Sequence, residues 1–463
     1  GNTTVAGNAS GNGTGVDLGG NVSGGSVSGG SANGSGVTVS GNNSTATNTT
    51  VTGNTTNGTG VNITGNLTNA GSSTVAGNAS GNGTGVDLGG NVTGGSVSGD
   101  SANGSGVTVS GNNSTATNTT VTGNTTNGTG ITITGNLTNA GNSTVAGNAS
   151  GNGTGVDLGG NVTGGSVSGG SANGSGVTVS GNNSTATNTT VTGNTTNGTG
   201  VAITGNLTNA GNSTVAGNAS GNGTGTDISG TLNGAVTGSS ATGTGAHVAD
   251  GAHISAGSSV TGSSDSGSGT VAEGNISNNG QISGTSNKGD GLNLNATVSG
   301  GGKLTGHSVD GTGVHVSGNS AMNGGSLSGS TTNGSGLHLD GDLKHTPDST
   351  INSSVATGGH GQESTGQGSL VEVKPPFEPG KPERPVDKQA EKMMSVISRQ
   401  QTITAQTRHQ GAALQMSGYR APEEPVEIEI CVDGMCQSAN VDRQLSSASE
   451  GKGDASRKET KRK

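Results

Sequence analysis

A short signature returns through the chain at a steady interval: a Gly-Ser/Thr-Gly step, then an apolar residue, any residue, and a second apolar residue. It sits at Val16-Asp17-Leu18, Val37-Thr38-Val39 and Val61-Asn62-Ile63, and starts again at Val86, Val107, Ile131, Val156, Val177 and Val201. The spacings cycle through 21, 24 and 25 residues and together make a 70-residue repeat, visible also as Val5-Ala6-Gly7-Asn8-Ala9-Ser10 returning at Val75, Val145 and Val215. Beyond residue 211 the sequence drifts. Yet the triplet persists at Thr226-Asp227-Ile228, Ala246-His247-Val248, Leu292-Asn293-Leu294, Val314-His315-Val316 and Leu337-His338-Leu339, with a weaker instance at Thr270. A random coil has no physical reason to hold that interval while its other residues change, so each interval is read as one turn of a solenoid.

Apolar-any-apolar alternation is a short strand with two side chains facing one way. Further single apolar residues follow in each turn, such as Val22 and Val27 or Leu67 and Val75, bounded by Gly, Asn and Ser that suit turns. Three short strands in about 23 residues predict an all-β right-handed parallel β-helix of about fifteen turns, roughly 70 Å long at a strand spacing of about 4.8 Å. Composition agrees: with 97 Gly in 463 residues, 25% apolar content, one Phe, one Tyr and no Trp, a thick globular core is out of reach. Gly has no period of three, which excludes collagen. All eight Pro lie beyond residue 345, as expected if the strands before it need every backbone donor.

These features divide the chain into a repeat body at 1–345, a Pro-rich linker at 346–386, a short helical stretch at 387–418, and a hairpin with a charged end at 419–463. In Pro425-Val426-Glu427-Ile428-Glu429-Ile430-Cys431-Val432-Asp433-Gly434-Met435-Cys436, Asp-Gly between alternating apolar residues predicts a two-residue hairpin loop. Val432 then faces Met435 and Cys431 faces Cys436, in a non-hydrogen-bonded pair close enough for a disulfide in an oxidising compartment. Metal binding there would need further thiols or imidazoles nearby, and the sequence supplies none.

Residues 1–225 hold four Asp and neither Lys nor Arg, so nothing neutralises phosphates, and nucleic acid is not expected as a partner. No apolar run reaches the ~18 residues of a membrane span. Enzymes of this architecture need carboxylates clustered with cations or aromatics, so no catalytic activity and no cofactor are expected. Asp17, Asp87, Asp157 and Asp227 take the outward triplet position only every third turn, roughly 14 Å apart, which keeps like charges separated. His315 and His338 take it in consecutive turns, but two imidazoles without a carboxylate make a poor metal site, and solvated rings are expected. Aligned Asn and Thr could form side-chain ladders; at most positions the Asn are read as ordinary turn residues.

A Gly/Asn/Thr-rich β-helix with few cations, almost no aromatics, and two Cys only near the C-terminus resembles the secreted adhesins of bacterial two-partner secretion, the filamentous-haemagglutinin-like exoproteins and high-molecular-weight adhesins. That resemblance implies a bacterial cell-surface or released protein, exported by an outer-membrane two-partner transporter, that attaches to a host glycan or protein. It implies a tethering role for a Cys431–Cys436 loop, although 27 residues follow Cys436. It also implies glycosylation at Asn-X-Ser/Thr sites, of which residues 1–70 hold twelve; outward-facing Asn62 is favoured, with Asn66, Asn48 and Asn54 as further candidates. Because the chain opens within a repeat, it is expected to be the C-terminal part of something longer, with any export signal upstream. A structural stalk without its own receptor is the alternative.

Overall fold

The computed structural model describes residues 3–355, 360–364, 369–373, 427–432 and 435–440. The chain divides into two units, Gly1–Pro376 and Phe377–Lys463. The first is a parallel β-solenoid of about 15 turns, all-β as expected. The turns stack into three parallel files, with single strands such as Val22–Ser31, Ser44–Thr55, Thr270–Asn278 and Leu292–Ser299 running through two of them.

The first file holds the triplets, from Val16–Leu18 and Ser35–Val39 to Val314–Val316 and Ser335–Leu339. Its register stacks Val16, Val37, Val61, Val86, Val107 and Ile131 in one internal column and Leu18, Val39, Ile63, Leu88, Val109 and Ile133 in a second. The third file, from Thr3–Ala9 and the later part of Ser44–Thr55 to Lys303–Ser308 and Ser326–Thr331, carries a single column that begins Val5, Val27, Val51, Val75, Val97 and Val121. The second file is shorter and less regular, with Leu67, Val92 and Ala116 aligned. The core is thus a thin stack of Val, Ile, Leu and Ala in which most side chains are buried to within 2%. No turn has a core of its own, so stability comes from neighbours.

The Gly of the sequence signature has a steric cause. A Cβ on Gly130 would lie 2.5 Å from Asn148 N, 2.6 Å from Gly155 O and 2.8 Å from Gly123 O, all backbone atoms. Its counterparts Gly36, Gly60, Gly85, Gly106, Gly155 and Gly176 are equally confined, and the facing column Gly29, Gly53, Gly77, Gly99 and Gly123 presses on the same carbonyls from the other side. Two glycine columns therefore pass backbone against backbone where the third file turns into the first.

Corners are closed by hydroxyls. Thr125 Oγ1 accepts from Gly128 N at 3.0 Å and donates to Gly104 O of the preceding turn at 3.2 Å, and Ser308 repeats this with Gly311 N and Gly289 O. Buried Ser143 accepts from Thr119 N at 3.2 Å and donates to Ala116 O at 2.8 Å. Where the triplet opens with Thr instead of an aliphatic, the hydroxyl is satisfied across the core: Thr226 donates to Thr237 O at 2.9 Å and Thr270 to Ser283 O at 2.7 Å. Paired strands also continue past residue 345, at Thr350–Val355, His360–Ser364 and Leu370–Glu372.

In the second unit, Glu427–Val432 pairs antiparallel with Met435–Asn440. Val432 faces Met435 and Cys431 faces Cys436, the register expected from a two-residue loop. The two sulfurs, and the helical stretch expected at 387–418, lie outside the described residues. Among the described residues no helix is long and apolar enough to cross a membrane.

Candidate functional site

Because the centre of each triplet points away from the core, stacking makes an outward column of those residues: Asp17, Thr38, Asn62, Asp87, Thr108, Thr132, Asp157 and on to Asp227, His247, Asn293, His315 and His338. The Asp of this column do more than stay apart. Each of Asp17, Asp87 and Asp157 accepts from the Ser of the next turn, Ser40, Ser110 and Ser180, at 2.6–2.7 Å. Burial pushes the Asp87 carboxyl above its ordinary value, and the Ser110 bond acts against that.

The column ends in two His–carboxylate clusters. In the first, His247 Nδ1 is 2.9 Å from Asp227 of the preceding turn, and Nε2 is 3.5 Å from Glu273 of the next. The Asp227 hydrogen bond raises the His247 pKa against the opposing effect of burial, with Glu273 adding to the rise.

The second cluster is denser. His315 Nδ1 lies 2.9 Å from Asp290 Oδ2, and Nε2 lies 2.9 Å from Asp340 Oδ2. The other oxygen of Asp340 is 3.0 Å from His338 Nε2. The two rings meet edge-to-face with centroids 5.3 Å apart. His315 is held protonated, its pKa pushed up to about 9, first by the bond to Asp290 and then by Asp340, with burial opposing. Residue spacing alone predicts solvated imidazoles here; the structure instead brings two carboxylates to them. Asp340 arrives because it follows His338 by two residues, the period that returns a strand side chain to the same face. Asp290 arrives from the turn before Leu292–Ser299, for which residue spacing carries no signal.

A second outward feature runs along the third file, where Asn54, Asn78, Asp100, Asn124 and Asn148 are aligned. Asn78 stands 3.0 Å from Asn54 and 3.2 Å from Asp100. Asn124 Nδ2 donates to Asp100 Oδ1 at 2.9 Å and Asn148 Nδ2 to Asn124 Oδ1 at 3.3 Å. These Asn are a side-chain ladder, not merely turn formers. Asp100, Asn124, Thr126 and Asn148 line a shallow polar groove, and Ser239, Ser263, Asp265, Asn287 and His307 line a second further along.

The four glycosylation candidates fall in distinct settings. Asn62 is half-buried between Thr38 and Asp87, and Asn54 is an exposed member of the ladder. Exposed Asn66 accepts from Asn91 N at 3.3 Å. Exposed Asn48 has a left-handed backbone (φ 48°), and its carbonyl accepts from Ser72 N at 3.2 Å. In Asn66 and Asn48, then, the side-chain oxygen is already committed to the neighbouring turn. No family model matches the chain, and comparison with curated proteins finds no match either.

Proposed function

We propose that this chain belongs to a secreted bacterial surface adhesin, exported by an outer-membrane two-partner transporter, that attaches through its solenoid to a glycan or protein on host cells. The observation behind this reading is the pair of shallow grooves, in which Ser, Thr, Asn, Asp and His alternate with small Ala, Gly and Val residues, on a long body with few cations. Hydroxyls, amides and carboxylates spaced by a strand repeat suit the hydrogen-bonding pattern of a sugar chain, and many weak contacts along one rigid body add up in avidity. No catalytic role belongs to this reading. Retention through a Cys431–Cys436 loop, and sugar on Asn62, Asn66, Asn48 or Asn54, are parts of the same proposal.

The test is binding of the purified chain to host epithelial cells, followed by a glycan array. Saturable attachment, weakened when Asn124 and Asn148 are both replaced by Ala, supports an adhesin. A chain that folds but leaves cells and glycans untouched would refute it. A stalk that only holds another module at a distance is favoured by one fact: the ladder amides already bond to one another.

A further inference from the structure

We propose that His315, His338 and Asp340 form a binding site for a divalent transition metal, best matched by zinc, that joins two consecutive turns of the solenoid. Nothing in the adhesin reading requires such a site.

A zinc ion takes imidazole nitrogen and carboxylate oxygen at about 2.0–2.2 Å, and three protein ligands with a water in the fourth position make a complete open site. Here one ligand atom from each of His315, His338 and Asp340 falls within 4.8 Å of the other two. Both Nε2 atoms already point at the same carboxylate, one at each oxygen, at 2.9 and 3.0 Å. Donors around a tetrahedral ion sit about 3.3–3.5 Å apart, as those bond lengths require. The remaining adjustment is on the order of 1 Å, and the Asp340 side chain, 41% exposed, has room to make it.

Two further features distinguish the site from a chance surface pair. His315 hands its other ring nitrogen to Asp290 at 2.9 Å, which fixes the ring and leaves Nε2 to face the metal, the outer-shell arrangement found around metal-bound imidazoles. His315 and His338 also occupy paired positions on adjacent parallel strands, so the backbone ladder holds their separation. The His247 cluster has one imidazole between two carboxylates and makes a natural control. A bound ion would take the place of the hydrogens now shared between the two Nε2 atoms and Asp340.

The experiment uses the full, untagged chain carrying Cys431→Ser and Cys436→Ser, so that no thiol contributes, stripped of metal and titrated with zinc chloride by calorimetry. One zinc per chain is expected. Asp340→Asn and His338→Gln each weaken it at least tenfold, Asp290→Asn by about 10–100-fold, and His247→Gln leaves it unchanged. Circular dichroism of each variant without metal separates lost binding from lost folding. Should a variant not fold, cobalt absorption of the parent chain decides instead: intense four-coordinate bands at one equivalent, bleached by one equivalent of zinc, support the site, and their absence overturns it. No binding in the parent, or full binding retained by folded Asp340→Asn and His338→Gln, shows the cluster to be a hydrogen-bonded ion-pair network only.

Discussion

Replacing Gly130 by Ala adds one methyl group, yet in this fold it should damage two turns at once. Ordinary contact begins at 3.4 Å, whereas the new Cβ would lie 2.5, 2.6 and 2.8 Å from three backbone atoms, so the strands around it must part by about 0.6–0.9 Å. Gly130 has no positive φ, so its own backbone conformation suits Ala and space alone is the obstacle. The flanking pairs Thr129↔Thr154 and Ile131↔Val156 share the displacement. Weakening two or three ladder hydrogen bonds at about 1 kcal/mol each, with about 1–3 kcal/mol for overpacking, gives a loss of about 3–6 kcal/mol. Turns interact only with neighbours, so the loss should split the unfolding of the rod near this position. Urea unfolding followed by circular dichroism measures it, with Gly301→Ala as control. A methyl group on Gly301 would meet nothing within 4 Å, so that change should stay within about 0.5 kcal/mol or gain slightly. Equal midpoints for the two variants would refute the claim that two glycine columns are packed backbone to backbone.

Other outcomes follow from single contacts. Asn139 is 4% exposed and neither atom of its amide has a partner, so Asn139→Leu, with the same branched outline but no polar atoms, should raise stability by about 1 kcal/mol, read as a higher melting temperature. Ser143→Ala removes the acceptor of buried Thr119 N and should cost about 1–3 kcal/mol by the same measurement. His247, whose pKa is raised on folding, contributes stability that is fully present below its unfolded value of about 6.5 and fades as pH climbs through the folded value. NMR titration should therefore find the ring titrating above 6.5 in the parent and lower in Asp227→Asn; equal values in both would count against the ion pair.

What the sequence made legible depended on whether a feature was periodic. The triplets are periodic, and their spacing located the strands of the first file and both internal columns, including the diverged turns at Thr226 and Thr270, because an inward pair must recur once per turn whatever lies between. The glycines were legible as a motif without a cause, since the clash at Gly130 involves backbone from a neighbouring turn and from the facing file. The Asn ladder is less legible than the triplets. An Asn that suits a turn and an Asn that bonds to its copy 24 residues away are the same letter, and only the register separates them. At the His cluster, His315 and His338 were visible as stacked outward residues and Asp340 stood one strand period away. Asp290 comes from an irregular turn, where position in space does not follow from spacing.

Amide hydrogen exchange of the full chain, resolved by mass spectrometry, bears most directly on the central claim that small aliphatic residues stack into continuous internal columns. If they do, amides of the three strand files between residues 16 and 345 exchange slowly, the corner segments between them exchange faster, and slow protection persists across the diverged turns after residue 211. Uniformly fast exchange across that span would contradict the account.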